Sequence, residues 1–254
     1  MTSRLQVAAL DYAGRRWSVF PVYQAVSPGV CSCLGRAACE NAGKHPRTQR
    51  GFKDATIDEA IIREWWSEWP NASIGIATGE KSGILVVDVD PRHDGDISLG
   101  ELESQHGKLP NTVESLTGGG GRHVFFKYPQ GMVVKTRKSF GSGVDIKGAG
   151  GYIIAPPSCH KTGREYEWEA SSHPDEVEIA DAPNWLLDLL KKVPVKEIEG
   201  EAISKDRNKT LTSMAGSMRR VGFSEPAILD AIGIENATRY QPPLVQNELE
   251  KIAA

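Results

Sequence analysis

Between Ser73 and Ala155 the chain runs as short β-rich segments separated by glycine-rich turns, and this texture limits the fold most sharply. Four segments stand out: Ile74-Gly75-Ile76-Ala77, Ile84-Leu85-Val86-Val87-Asp88-Val89-Asp90, His123-Val124-Phe125-Phe126 and Gly151-Tyr152-Ile153-Ile154-Ala155. Branched and aromatic side chains at this density suit a pleated, buried surface. A helical stretch falls between two of them, near Ile97 to His106. Strands interleaved with helices predict a mixed α/β (α+β) domain.

The flanks complete the plan. Leu5, Ala8, Ala9 and Tyr12 recur at helical spacing, which predicts a helix from Ser3 to Gly14, and Trp17 to Val22 reads as a strand. Thr56-Ile57-Asp58-Glu59 signals a second helix with Thr56 as its cap, running through Ile61, Ile62, Trp65 and Trp66. Trp65, Trp66 and Trp69 invite base stacking, but i, i+4 spacing on a helix that stops before Pro70 favours core packing. The polar stretch at 193–204 reads as a linker between a domain over 1–192 and a small helical bundle over 205–254. In the bundle Leu211, Met214, Ala215 and Met218 share a face, as do Ala227, Leu229 and Ile232 approximately. Ser224-Glu225-Pro226 opens one helix, and Gln241-Pro242-Pro243 interrupts the pattern before another.

A length of 254 residues accommodates this division, and 39% hydrophobic with 25% charged residues is ordinary for a globular chain. No apolar run approaches the roughly 18–20 residues that span a bilayer, and the start lacks a secretory core, so a cytoplasmic protein is expected. A net charge of −3 argues against indiscriminate coating of nucleic acid. Local basic patches can still meet phosphates.

Three positions carry candidate chemistry. Asp88 and Asp90 end an apolar strand, and i, i+2 side chains leave a strand on one face, so both carboxylates can meet Mg²⁺ or Mn²⁺. A solvated strand end before Pro91 is the competing reading. Thr117-Gly118-Gly119-Gly120-Gly121-Arg122-His123 would let backbone N–H groups approach a phosphate, with Arg122 and His123 adding charge-assisted bonds. It lacks the Gly-Lys-Ser/Thr of a Walker loop and precedes a strand rather than a helix, so a plain hairpin is its alternative. In Gly143-Val144-Asp145-Ile146-Lys147-Gly148, Asp145 and Lys147 share a strand face and offer a third carboxylate beside a phosphate-pairing lysine, or a simple surface ion pair.

Cys31-Ser32-Cys33, Cys39 and His45 form the pattern C-x-C-x5-C-x5-H. Three thiolates and an imidazole make a closed tetrahedral site, which suits a structural Zn²⁺, and Gly29, Gly35 and Gly43 would let the loop wrap the ion. Free thiols in a loop are the alternative. Cys159 reads as an ordinary thiol, a fourth ligand only if His45 is absent from the site.

The order of these motifs resembles the primase-polymerase domain of plasmid, phage and mobile-element replication proteins, in the archaeo-eukaryotic primase superfamily. The approach is similar too, in Phe52-Lys53-Asp54-Ala55-Thr56 and from Trp65 to Gly79, and the likeness covers about residues 5–190. The resemblance implies a mixed sheet with an RRM-like core, with Asp88 and Asp90 as the first acidic motif, His123 at the incoming triphosphate and Asp145 completing the metal site. Gly121 stands where many members carry a serine, so a glycine-run N–H would replace that bond. Gly120, Gly121, Arg122 and Lys147 are the further expected nucleotide contacts. Some members also carry a zinc loop ending in a similar Gly-Lys-His-Pro. Residues 203–254 resemble the helical domain that follows such catalytic domains in primases. Lys135, Arg137 and Lys138, with Arg207, Lys209, Arg219 and Arg220 in a cationic surface that includes Lys205, are the expected nucleic-acid contacts.

The implied activity is primer synthesis and extension on single-stranded DNA by two-metal transfer from NTPs or dNTPs. A metal-dependent nuclease and a non-catalytic origin-binding module are the competing functions. Relatives often continue into a helicase, so the chain is expected to be a fragment or a stand-alone version that works with one.

Overall fold

The computed structural model describes residues 2–191, 207–220, 222–240 and 242–253, and it falls into two compact units, 1–193 and 194–254, each described by itself. The expected linker at 193–204, with Lys205, lies outside the described residues. In the first unit the strands are β1 (Val19–Val22), β2 (Ala25–Ser27), β3 (Val30–Cys31), β4 (Ser73–Ala77), β5 (Ile84–Val89), β6 (Glu114–Leu116), β7 (Arg122–Lys127), β8 (Arg137–Gly141), β9 (Val144–Lys147), β10 (Tyr152–Ala155), β11 (Glu167–Trp168) and β12 (Ala180–Asp181). The helices are α1 (Arg4–Gly14), α2 (Glu59–Glu68), α3 (Gly95–His106) and α4 (Asn184–Lys191).

The main sheet has the order β11-β6-β7-β5-β9-β8, with β12 beside β7. Its centre, β9-β5-β7-β6 with α3 between β5 and β6, is the expected RRM-like core: the first strand lies between the third and fourth. No second helix separates β7 from β9, where the chain passes through β8 instead. Cover for that face comes from α4, whose Leu186 and Leu190 pack with Leu99 of α3 on Leu85, Val87, Val124 and Ile146.

Alternation along β5 assigns the other face. Ile84 and Val86, with Phe125 of β7, bury against Ala9 and Tyr12 of α1, Ile62 and Trp66 of α2, and Ile74 and Ile76 of β4. A smaller antiparallel sheet, β1-β4-β10, forms part of this cover. Ser3 caps α1, its Oγ accepting the Gln6 N–H at 3.1 Å. The cap of α2 is Asp58 rather than Thr56: Asp58 Oδ1 accepts the Ala60 and Ile61 N–H groups at 2.8 and 3.3 Å. Thr56 is pinned two residues earlier by a backbone bridge to Val19, with both hydrogen bonds at 2.9 Å. Trp66 is buried and donates to Ala72 O at 3.0 Å, while Trp65 and Trp69 pack beside it, so these rings belong to the core.

In the second unit, α5 (Arg207–Arg220), α6 (Glu225–Arg239) and α7 (Gln246–Ala253) bury Leu211, Ala215, Ile228, Ile232, Leu244 and Leu249 together. On α6 the inward face is Ile228 and Ile232, one turn apart, in place of Ala227. Buried Asn236 ties the segment after α6 down, donating to Leu244 O at 3.0 Å and accepting the Leu244 N–H at 2.8 Å.

Candidate active site

Asp88 lies on the Ile84 and Val86 face of β5, at the end where apolar cover gives way to a cleft of about 590 Å³. The sheet register sets its neighbours: His123 of β7 is opposite on one side and Asp145 of β9 on the other. Lys147 Nζ bridges the two carboxylates, 2.8 Å from Asp145 Oδ2 and 3.2 Å from Asp88 Oδ2. Burial works against the ammonium, but the two carboxylates raise its pKa overall. His123 is 5% exposed, with Nε2 3.6 Å from Asp88 Oδ1 and Nδ1 3.3 Å from Ser115 Oγ. Burial depresses its pKa despite the pull of Asp88, which keeps the ring neutral near pH 7.

Asp90 lines the same cleft but is engaged by cations of its own turn. Its carboxylate takes Arg92 Nε at 2.9 Å and Nη2 at 2.8 Å, accepts the Arg92 N–H at 3.1 Å and meets His93 Nδ1 at 3.1 Å. The bidentate Arg92 contact holds its pKa well below the usual carboxylate range.

The glycine loop is a closed turn between β6 and β7. Gly120 N–H donates to Thr117 O at 2.9 Å and Gly121 N–H to Thr117 Oγ1 at 3.0 Å, so both expected phosphate donors are used within the turn. The N–H groups of Gly118 and Gly119 have no hydrogen-bond partner among the described residues. A Cβ on Gly121 would lie 2.3 Å from Val89 O, and one on Gly118 would lie 2.4 Å from the His160 Cβ. Close packing requires glycine at 118 and 121, and a φ of 90° favours it at 120.

Arg122 corrects an expectation. Strand alternation sends it to the opposite face from His123, where it pairs with Glu114 at 3.0 Å. The guanidinium in the cleft is that of Arg92, and Lys44, Lys138, His160 and Tyr166 are among the other residues that line it. Of the basic trio before β9, only Lys138 reaches the cleft. Lys135 is exposed beside a bridge to Ala149, and Arg137 donates to Leu190 O at 3.2 Å. In the helical unit, Arg207 donates to Pro242 O in the segment before α7 and Arg219 to Ile252 O of α7, so both are used within the unit. Arg220 contacts Ser217 Oγ at 2.9 Å, and Lys209 is exposed.

The ligand atoms of Cys31, Cys33, Cys39 and His45 all lie within 4.8 Å of one another, the only such cluster among the described residues. His45 Nε2 stands 3.3 Å from Cys31 Sγ and 3.4 Å from Cys39 Sγ. Tetrahedral bonds to Zn²⁺ would put sulfur and nitrogen about 3.6 Å apart, so the set fits a zinc ion. Burial lowers the His45 pKa and leaves the ring the neutral donor that a metal requires. Cys159 is outside the cluster, its thiol 3.5 Å from His160 O. The loop is anchored by Tyr23 N–H to His45 O at 3.0 Å, and His45 is the neighbour of Lys44, which enters the cleft. Lys44 lies in the Gly-Lys-His-Pro that ends the cysteine loop, but nothing in the sequence marks it for the cleft, and Arg92 and His160 carry no period or motif that marks them.

Paired carboxylates under a buried imidazole, with cations around the rim, make a cleft whose charges suit phosphate-bearing ligands. A family model described as bifunctional DNA primase/polymerase, N-terminal, matches residues 9–185, and one described as Primase C terminal 1 (PriCT-1) matches residues 196–254. The chain belongs to the bifunctional DNA primase/polymerase family, and this membership implies DNA and nucleotides as its substrates. No curated protein matches the chain. Among the described residues no helix is long and apolar enough to cross a membrane.

Proposed function

We propose that the chain synthesises and extends primers on single-stranded DNA, joining NTPs or dNTPs at the cleft around Asp88. The observation that carries this reading is Asp88 opposite Asp145 with Lys147 between them. The donor set is all oxygen and faces an open cleft. Mg²⁺ keeps several waters and takes one or two carboxylates plus substrate phosphates, so a loose set suits it better than a closed cage would. Asp88, Asp90 and Asp145 would hold Mg²⁺ or Mn²⁺ there, and the ion would supply activation of the attacking 3′-hydroxyl and stabilisation of the leaving pyrophosphate.

The chain's own groups do the rest. Lys147 offsets repulsion between the two carboxylates and presents an ammonium to a phosphate. Asp88 favours the His123 tautomer with its proton on Nε2, so a neutral donor faces the triphosphate while Nδ1 accepts from Ser115. Lys44, Arg92 and Lys138 supply charge for phosphates at the rim. Residues 1–192 form the catalytic part, 193–204 the linker and 205–254 a helical part whose exposed Lys209 and Arg220 offer charge to nucleic acid. Zn²⁺ at the cysteine loop is structural.

The test is incubation with single-stranded DNA, Mg²⁺ or Mn²⁺ and labelled nucleotides, with and without a primer. Template-dependent products that vanish in Asp88→Asn are expected. Shortening of the DNA in the absence of nucleotides would point to a nuclease instead.

A further inference from the structure

His160 stands at the glycine-loop side of the cleft and has no part in the chemistry described so far. It is 2% exposed. Thr162 holds the ring: its N–H donates to Nδ1 at 3.2 Å, and its hydroxyl stands 3.0 Å from Nδ1 and 2.7 Å from Gly118 O. The backbone N–H aimed at Nδ1 favours that atom as acceptor, with the single proton of the neutral ring on Nε2. Burial, reinforced by Lys44, Arg92, Lys161 and Arg164, pushes the pKa down to about 4, so the ring stays neutral.

The Cε1–Nε2 edge of the ring borders Gly119. A Cβ built on Gly119 would lie 3.5 Å from His160 Nε2 and 3.5 Å from Arg92 Nη2. Two donors thus flank the space above Gly119, which only the lack of a side chain keeps open. The ring of Tyr166 separates this spot from His123, with centroids 6.1 and 5.7 Å from the two imidazoles. An anion held over Gly119 would sit at the far end of a ligand whose near end is beside Asp88 and His123.

We propose that His160 positions the terminal phosphate of the incoming nucleoside triphosphate, through a hydrogen bond from Nε2–H over Gly119 opposite Arg92. This rests on the primase-polymerase reading above. Because the donor is neutral, the bond forms without a change in protonation. A monophosphate, whose only phosphate lies at the Asp88 end, does not reach it.

Affinities of the whole chain for a non-hydrolysable dNTP analogue and for the matching dNMP, both with Mg²⁺, test the proposal. His160→Ala is expected to weaken triphosphate binding about tenfold, as loss of one hydrogen bond to a charged group does, and monophosphate binding less than about twofold. His160→Gln, whose amide N–H reaches the same region, should restore most of the loss. Gly119→Ala is a second probe that does not disturb the core, since its Cβ makes no contact closer than 3.4 Å. It should weaken the triphosphate selectively as well, and in synthesis assays both losses should appear in KM rather than kcat. Equal weakening of mono- and triphosphate by His160→Ala, or unchanged triphosphate affinity in Gly119→Ala, would overturn the proposal. Selective triphosphate loss in a chain that adds no nucleotide to DNA would leave the phosphate seat standing and remove the polymerase reading instead.

Discussion

Asp88 and Asp145 face each other across adjacent antiparallel strands, and one ammonium, that of Lys147, joins them. Two like charges at directly opposed sheet positions are destabilising by themselves. Lys147 is therefore part of what lets the sheet form with this site in it.

Lys147→Met should lower stability by about 1–3 kcal/mol, because it leaves two partly buried carboxylates facing each other. Chemical denaturation in the presence of a chelator measures this. Adding Asp145→Asn to Lys147→Met should recover much of the loss, and full additivity of the two changes would contradict the account.

The glycine loop should respond unequally to alanine. Gly121→Ala puts a Cβ 2.3 Å from Val89 O, a backbone atom that cannot move aside, and should cost about 1–3 kcal/mol. Gly119→Ala meets only ordinary contacts and should melt close to the parent. Equal melting temperatures for the two variants would mean that the loop packs differently.

Acid should weaken the first unit through its buried imidazoles. His160 titrates at about 4 in the fold against an ordinary value of 6.5, so below pH 6.5 the unfolded chain binds a proton that the folded one refuses. Stability contributed this way is full above pH 6.5 and is lost as pH falls towards 4. His123 adds loss in the same direction. Thermal melts from pH 7 to 4 should show a shallower decline in His160→Gln, and an unchanged slope would argue against a neutral ring.

The cysteine loop should carry about one zinc per chain, measurable by elemental analysis. Cys33→Ser and His45→Ala should lose it and melt earlier, whereas Cys159→Ser should keep it. Retention of zinc in His45→Ala would shift the fourth ligand to another group.

The period of two along β5 and β9 marks Asp88, Asp145 and Lys147 as candidates in the sequence, and the cysteine spacing does the same for the Cys31–His45 loop, whereas the metal role of Asp145 comes from the resemblance. That same alternation puts neighbours on opposite faces, which is why His123 is in the cleft and Arg122 pairs with Glu114 behind the sheet. The cap of α2 went to Asp58 because a long-range bridge held Thr56 extended, a tertiary effect that local propensity does not carry. Short β8, β11 and β12 and the eight-residue α4 are set by packing on an existing sheet rather than by a run of their own. Lys44, Arg92 and His160 come from three turns far apart in the chain, so their convergence belongs to the fold alone.

Nucleotide addition by the whole chain on a single-stranded DNA template, with Mg²⁺ or Mn²⁺ and with Asp88→Asn alongside, tests the central claim most directly. The account predicts products from the parent chain and none above background from a variant that melts like the parent. Undiminished synthesis by Asp88→Asn would place the chemistry elsewhere and contradict it.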